Sequence, residues 1–317
     1  MRTGWLMLAA ASLVVPLACS LAQAPPNRRA AHHEVSGLTR EREGAWKGPF
    51  FFIQLTDPQL GMIRENQAWG DEIRLVRRAV ERINRLKPRF VAVTGDMTNS
   101  GPGSPLYQRQ VRDYWKALAD LDPSIPLLHV PGNHDLGNTP SVKSLKAYRG
   151  AFGDDYYRFW VGGVLCLALD TSLLGYPADA PGDAAAQEAW LSRALKEARV
   201  AHPARLLVFQ HYPVYLKDLA EDDSYHVVPK ARRVRLMDQF RAAGVNAIFT
   251  GHLHHNLEAR AGDMEMVSSS ALGKPLGSDP SGLRIVEVYR DHLTSHFYGL
   301  DDVPGLPPTL RGGSLGR

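Results

Sequence analysis

The chain has 317 residues, 44% hydrophobic and 22% charged, an ordinary globular balance with room for one large α/β domain or two small ones. Its net charge of +4 comes from basic residues scattered among acids, with no Lys/Arg-rich run carrying interleaved aromatics, so a nucleic-acid-binding tract is not expected. Two cysteines, Cys19 and Cys166, are too few for a disulfide framework or a cysteine-built metal site.

Arg2 followed by the apolar stretch Trp5 to Ala18, with small residues at Ser20 and Ala22, has the layout of a secretory signal and is too short for a comfortable membrane span. Cleavage is expected after Ser20-Leu21-Ala22, giving an exported, periplasmic or secreted protein with a signal over residues 1–22. Cys19 follows Pro16-Leu17-Ala18, an imperfect lipoprotein box, so lipidation of Cys19 is the alternative and the one expected route to a membrane. Residues 23–47 are polar and Pro/Arg-rich and read as a linker.

From Phe50 onward strands and helices alternate. The run FFIQL is a strand, and 71–86 carries apolar residues near a 3.6 period, a helix stopped by Pro88. FVAVTGD is a strand, 107–119 a helix, and IPLLHVPGNHD a strand running into a loop. A short helical piece precedes YRFWVGGVLCLALD, two strands joined at Gly162–Gly163, with Cys166 as a buried small hydrophobe. Then come a helix over 183–200, the strand ARLLVFQH, a helix over 232–243 and the strand VNAIFT leading into GHLHHN. The remainder, MEMVSSSALG and GLRIVEVYRDHLTSHFYGL, has strand composition. One α/β domain over 48–303 follows, with helices outside two sheets and a frayed tail over 304–317.

Asp57, Asp96, Asn133, His134, His211, His252 and His254 each fall just after an apolar β-type run. Strand ends on one edge of a sheet converge, and ligands bind at such edges. Gly95, Gly132 and Gly251 suit tight turns there. A lone GD or GNHD occurs by chance, and a lone histidine is more often structural. The ordered set D, GD, GNHD, H, GHxH, always at strand exits, is far more specific.

With that set the chain resembles the calcineurin-like metallophosphoesterases over nearly all of its length after the linker. It is most like the branch of the cytosolic serine/threonine phosphatase with a solitary calcineurin-like phosphoesterase domain. That branch shares Asp57-Pro58-Gln59, Gly132–Pro140 (GNHDLGNTP), Phe159–Val164, Glu221–Tyr225 and Asp279–Val286. The resemblance implies a four-layer α/β/β/α sandwich of two mixed sheets, and two divalent ions (Mn, Fe, Zn or Mg) about 4 Å apart that generate a hydroxide for attack on phosphorus. By motif, Asp96 bridges the ions, Asp57 and His254 hold the first, and Asn133, His211 and His252 hold the second. His134 is then the proton donor to the leaving oxygen, with Asp135 orienting its imidazole.

Gln59 stands where many members place a histidine. A neutral amide oxygen binds late first-row metals less well than imidazole, so a weaker first ion is expected. Asn99 is a candidate substrate contact, with loop capping as its alternative. Glu221, Asp222 and Asp223 are expected to fix a loop through Tyr225, with shaping access to the site as the alternative. His255 is expected at the surface, with flanking the pocket as its alternative, and His129, Trp160 and Trp190 are expected to be structural. Met97 replaces the iron-binding tyrosine of purple acid phosphatases, which disfavours that branch. The expected activity is that of a phosphomonoesterase on a phosphorylated small molecule or protein. The alternatives are a phosphodiesterase on the same frame and a silent exported binding protein with a decayed first metal position; retention of His134 argues against the latter.

Overall fold

The computed structural model describes residues 29–310. The expected signal segment, Cys19 and the last residues of the tail lie outside them. In chain order the elements are β1 (Ala30–Ala31), β2 (Glu34–Val35), α1 (Arg40–Glu43), β3 (Phe50–Leu55), α2 (Gly70–Leu86), β4 (Val91–Thr94), α3 (Tyr107–Ala117) and β5 (Leu127–Val130). Then follow α4 (Asn133–Leu136), α5 (Val142–Phe152), β6 (Tyr157–Val161), β7 (Val164–Leu169), α6 (Thr171–Gly175), α7 (Pro181–Ala201) and β8 (Arg205–Gln210). The chain closes with α8 (Lys230–Ala243), β9 (Ala247–Thr250), β10 (Leu257–Ala261), β11 (Met264–Ser268), β12 (Gly282–Val288) and β13 (Leu293–Gly299).

The strands form two mixed sheets, one in the order β13-β12-β3-β4-β5 and the other β1-β2-β6-β7-β8-β9-β11-β10. Successive side chains of a strand face opposite sides, so each sheet feeds two interfaces. In β3 and β4, Phe52 and Ala92 turn inward to meet Phe159, Phe209 and Phe249 of the other sheet. Ile53, Leu55, Val91 and Val93 turn outward against Val76, Val80 and Ile83 of α2 and Val111 and Tyr114 of α3. On the far side Leu167, Val208 and Ile248 pack on Trp190 and Leu191 of α7 and Phe240 of α8. Three apolar interfaces stack four layers, α/β/β/α, as expected. Among the described residues no helix is long and apolar enough to cross a membrane.

The linker expected over 23–47 is corrected by its described part. β2 pairs in parallel with β6, Glu34 opposite Arg158, and Ala30, Val35 and Leu38 are buried in the inter-sheet core. Glu43 is also buried; its carboxylate accepts from Gly162 N (2.8 Å) and pairs with Arg89 (2.7 Å) and Lys47 (3.1 Å). Those bonds hold its pKa below the usual carboxylate range against the opposing effect of burial. Three widely spaced apolar anchors in a polar stretch give no periodic signal, which is why composition alone read it as a linker. In the tail, 304–310 has no regular structure, although Leu310 packs against the core.

Candidate metal centre

All five strand exits that carry the motifs open at one end of the sandwich. Asp57 follows β3, Asp96 follows β4, Asn133 and His134 follow β5, His211 follows β8, and His252 and His254 follow β9. Five non-glycine residues there adopt left-handed backbone: Asp57 (φ 48°), Gln59 (37°), Asp96 (53°), His252 (69°) and His254 (56°). Each such residue costs on the order of 1–3 kcal/mol, and this kind of strain clusters at functional sites. Two glycines make room for the carboxylates. A Cβ on Gly132 would stand 2.1 Å from Asp96 Oδ1, and one on Gly251 would stand 2.7 Å from Asp57 Oδ2.

The exits bring together two overlapping groups, Asp96–His211–His252 and Asp57–Asp96–His254, with the candidate ligand atoms of each within 4.8 Å of one another. Asp96 belongs to both, the position of a bridging carboxylate.

Hydrogen bonds fix which atom each ligand turns inward. His211 Nδ1 lies 2.8 Å from the Thr94 carbonyl, which can only accept, so its proton sits on Nδ1 and Nε2 offers a lone pair. That lone pair faces Asp96 Oδ2 at 3.3 Å and Asn133 Oδ1 at 3.1 Å. His252 is turned the other way round: Nε2 meets the Tyr225 carbonyl at 3.0 Å, and Nδ1 faces Asn133 Oδ1 at 3.1 Å and His211 Nε2 at 3.3 Å. His254 Nδ1 is held by the Lys274 carbonyl at 2.6 Å, leaving Nε2 3.4 Å from Asp57 Oδ1. With the inward nitrogens unprotonated, acceptor faces acceptor throughout, an arrangement that needs positive charge among them, from an ion or from a proton.

Two further atoms point the same way. Asp57 Oδ2 accepts from Thr56 Oγ1 (2.6 Å) and His252 N (3.1 Å), whereas Asp57 Oδ1 and Gln59 Oε1 are buried without a hydrogen-bond partner. Buried polar oxygens are normally satisfied. Both suit a cation, so the residues present fit the two-ion set implied by the motifs, with Gln59 able to offer its amide oxygen. Titration agrees. Burial disfavours a proton on His211, but the Asp96 carboxylate outweighs it and raises the pKa to about 10. Burial and a charged His211 push His252 down to about 3.

His134 stands at the mouth, partly exposed. Its backbone N–H donates to Asp96 Oδ1 (2.8 Å) and its Nδ1 lies 3.0 Å from the Asn99 carbonyl, which leaves Nε2 open. The orienting role expected for Asp135 is therefore corrected. That carboxylate is fully buried and accepts from backbone N–H groups of Met97 (3.0 Å), Thr98 (3.3 Å) and Gly132 (2.9 Å), tying the Asp96 loop to the Asn133 loop. Asn99 is the group that holds the imidazole, and its side-chain oxygen also accepts from Gln59 Nε2 (3.1 Å).

Of the secondary expectations, His129 bonds Tyr114 Oη at 3.0 Å in the core, and Trp160 of β6 and Trp190 of α7 share the outer core cluster. His255 is exposed and turns to the Leu253 carbonyl. Glu221 does fix a loop, accepting from Leu216 N (2.7 Å) and Lys217 N (2.9 Å). Tyr225 itself reaches the metal centre, where its hydroxyl accepts from Asn133 Nδ2 at 2.9 Å. Sequence reasoning missed that contact and the one from Asn133 Nδ2 to Asn138 Oδ1 (3.0 Å), although Asn138 lies inside the GNHDLGNTP motif.

A family model, "Calcineurin-like phosphoesterase", matches residues 52–256. The human serine/threonine-protein phosphatase CPPED1 is 40% identical over 287 residues, 87% of this chain and 91% of the relative; the Danio rerio protein of that name is 39% identical over 286 residues, 87% and 93%. Among solved structures, a dimetal phosphatase from Danio rerio superposes with a TM-score of 0.56 at 17% identity, covering 79% of this chain and 99% of its own, a likeness of fold. With the motif set, the two overlapping ligand groups and these relatives in agreement, the chain belongs to the calcineurin-like phosphoesterase family and is a metal-site hydrolase of the phosphatase kind.

Proposed function

We propose that this chain is an exported phosphomonoesterase, with phosphoproteins as the first substrate class to test. The observation that carries the chemistry is the sharing of Asp96 by two ligand groups beside an imidazole whose Nε2 is open. Asp57, Asp96 and His254, with Gln59 Oε1, would hold one divalent ion, and Asp96, Asn133, His211 and His252 the other. When bound, such a pair polarises phosphoryl oxygens and supplies an attacking hydroxide near neutral pH. The protein's part is to hold these ligands in fixed tautomers and to deliver a proton. His134, oriented by Nδ1–H donation to the Asn99 carbonyl, would act in its imidazolium form, giving the Nε2 proton to the leaving oxygen as the ester bond breaks and returning to the neutral ring.

The monoester and phosphoprotein readings are supported by the name of the relatives, serine/threonine-protein phosphatase. Export is supported by the apolar stretch Trp5 to Ala18 and the small residues after it. Nitrophenyl phosphate should be hydrolysed well ahead of bis-nitrophenyl phosphate when each is assayed with added Mn²⁺, Mg²⁺ or Zn²⁺. Preference for the diester would replace the monoester reading with a diesterase. Export is checked separately by fractionating expressing cells and sequencing the mature N-terminus, which should begin at Gln23. A full-length chain in the cytosol would remove the exported part of the proposal.

A further inference from the structure

We infer that Tyr225 is a positioning residue for the second ion, choosing the donor atoms of two of its ligands at once; this rests on the cage being a metal site. An asparagine can present either its oxygen or its nitrogen to a neighbour. Asn133 has both amide hydrogens engaged, one by Asn138 Oδ1 at 3.0 Å and one by Tyr225 Oη at 2.9 Å, so Oδ1 is the atom left for the cage. An imidazole can likewise present either nitrogen. The Tyr225 carbonyl, 3.0 Å from His252 Nε2, keeps the proton there and turns the Nδ1 lone pair inward. One residue thus sets two ligands, through its side chain and its main chain.

Packing alone does not account for the placement. Tyr225 is 51% exposed, unlike the core tyrosines, yet its ring leans on His252 with centroids 4.9 Å apart. The segment bearing it, between β8 and α8, is braced by Arg233. That buried guanidinium donates to the carbonyls of Leu219 (3.1 Å), Val228 (3.3 Å) and Glu221, and lies 3.5 Å from Asp223. A fully buried cation with four oxygen partners is an unusual investment for a surface loop. It holds the Tyr225 carbonyl and hydroxyl in register with the two ligands.

The test is titration of metal-stripped, full-length protein with Mn²⁺ alone, by calorimetry, comparing wild type with Tyr225→Phe. The wild type should take up two ions. In Tyr225→Phe, one of the two steps should weaken about 10–100-fold, the usual effect of losing an outer partner of a ligand. The other step, and the melting midpoint of the stripped protein, should stay as in wild type. Imidazole ¹⁵N spectra add a readout that folding does not mimic. The Nε2–H form of His252 should persist in Tyr225→Phe, which keeps the carbonyl, and be lost in Arg233→Met, which releases it. Wild-type affinity for both ions in Tyr225→Phe overturns the inference, as does equal weakening of both steps with a lowered midpoint, which marks loop packing alone. A wild type that binds no Mn²⁺ overturns it together with the metal-site reading. If two ions bind and the Tyr225 effect is found but no ester is cleaved, the positioning role stands and the proposed phosphatase activity falls.

Discussion

The two halves of the cage are built from similar residues and finished differently. On the second-ion side, His211, His252 and Asn133 each have their outward polar atoms engaged, by Thr94, Tyr225 and Asn138. On the first-ion side, His254 is anchored by Lys274, but two buried oxygens, Asp57 Oδ1 and Gln59 Oε1, have no hydrogen-bond partner, and one belongs to a neutral amide. Ligand softness favours imidazole over amide oxygen for late first-row ions. The lesson is that a first motif without its histidine need not be a decayed motif. Every other part of the first-ion group is in place, so the frame stands intact around Gln59.

The harshest way to break the comparison is to remove what the halves share. Asp96→Asn takes away the common carboxylate, and activity should fall by roughly three orders of magnitude, the worth of a metal's several kcal/mol of transition-state stabilisation. Metal analysis should show both ions weakened; near-normal turnover would mean that Asp96 does not bridge. His134→Ala touches neither half. It should lower kcat about 10²–10⁴-fold with the Mn²⁺ titration unchanged, so loss of an ion in that variant would place His134 among the ligands instead. The mildest change sharpens the contrast. Gln59→His should tighten the weaker Mn²⁺ step and leave the stronger one where it was, with the enzyme still active. An inactive variant would show that the amide is required for more than holding an ion.

Much of this arrangement was legible in the chain. Buried strands ending in Asp, Asn or His announce a converging edge, and the pairing of β3, β4, β8 and β9 brings those ends together. What stayed hidden has a common physical character. The Asn133–Tyr225 contact spans 92 residues and comes from a loop with no period to read. Asp135 looks like a partner for its neighbour His134, yet its oxygens are claimed by three backbone N–H groups. β1 and β2, two residues each, and the single turn of α1 are too short for any hydropathy pattern. The strand β10, with alternating half-exposed and exposed residues, lacks the apolar face that marks the central strands.

The left-handed backbone at the strand exits also limits where this fold can be made more robust. His202, at the exposed end of α7, holds φ 47° with no role in the cage, and glycine there would relax the turn without loss to the chemistry. Asp57, Asp96, His252 and His254 hold comparable angles and admit no such relief, since the residue that would ease the backbone has no side chain to offer an ion. Their conformational tension is a fixed property of the catalytic edge, and any gain in thermal tolerance has to come from the opposite end of the sandwich and its outer helices.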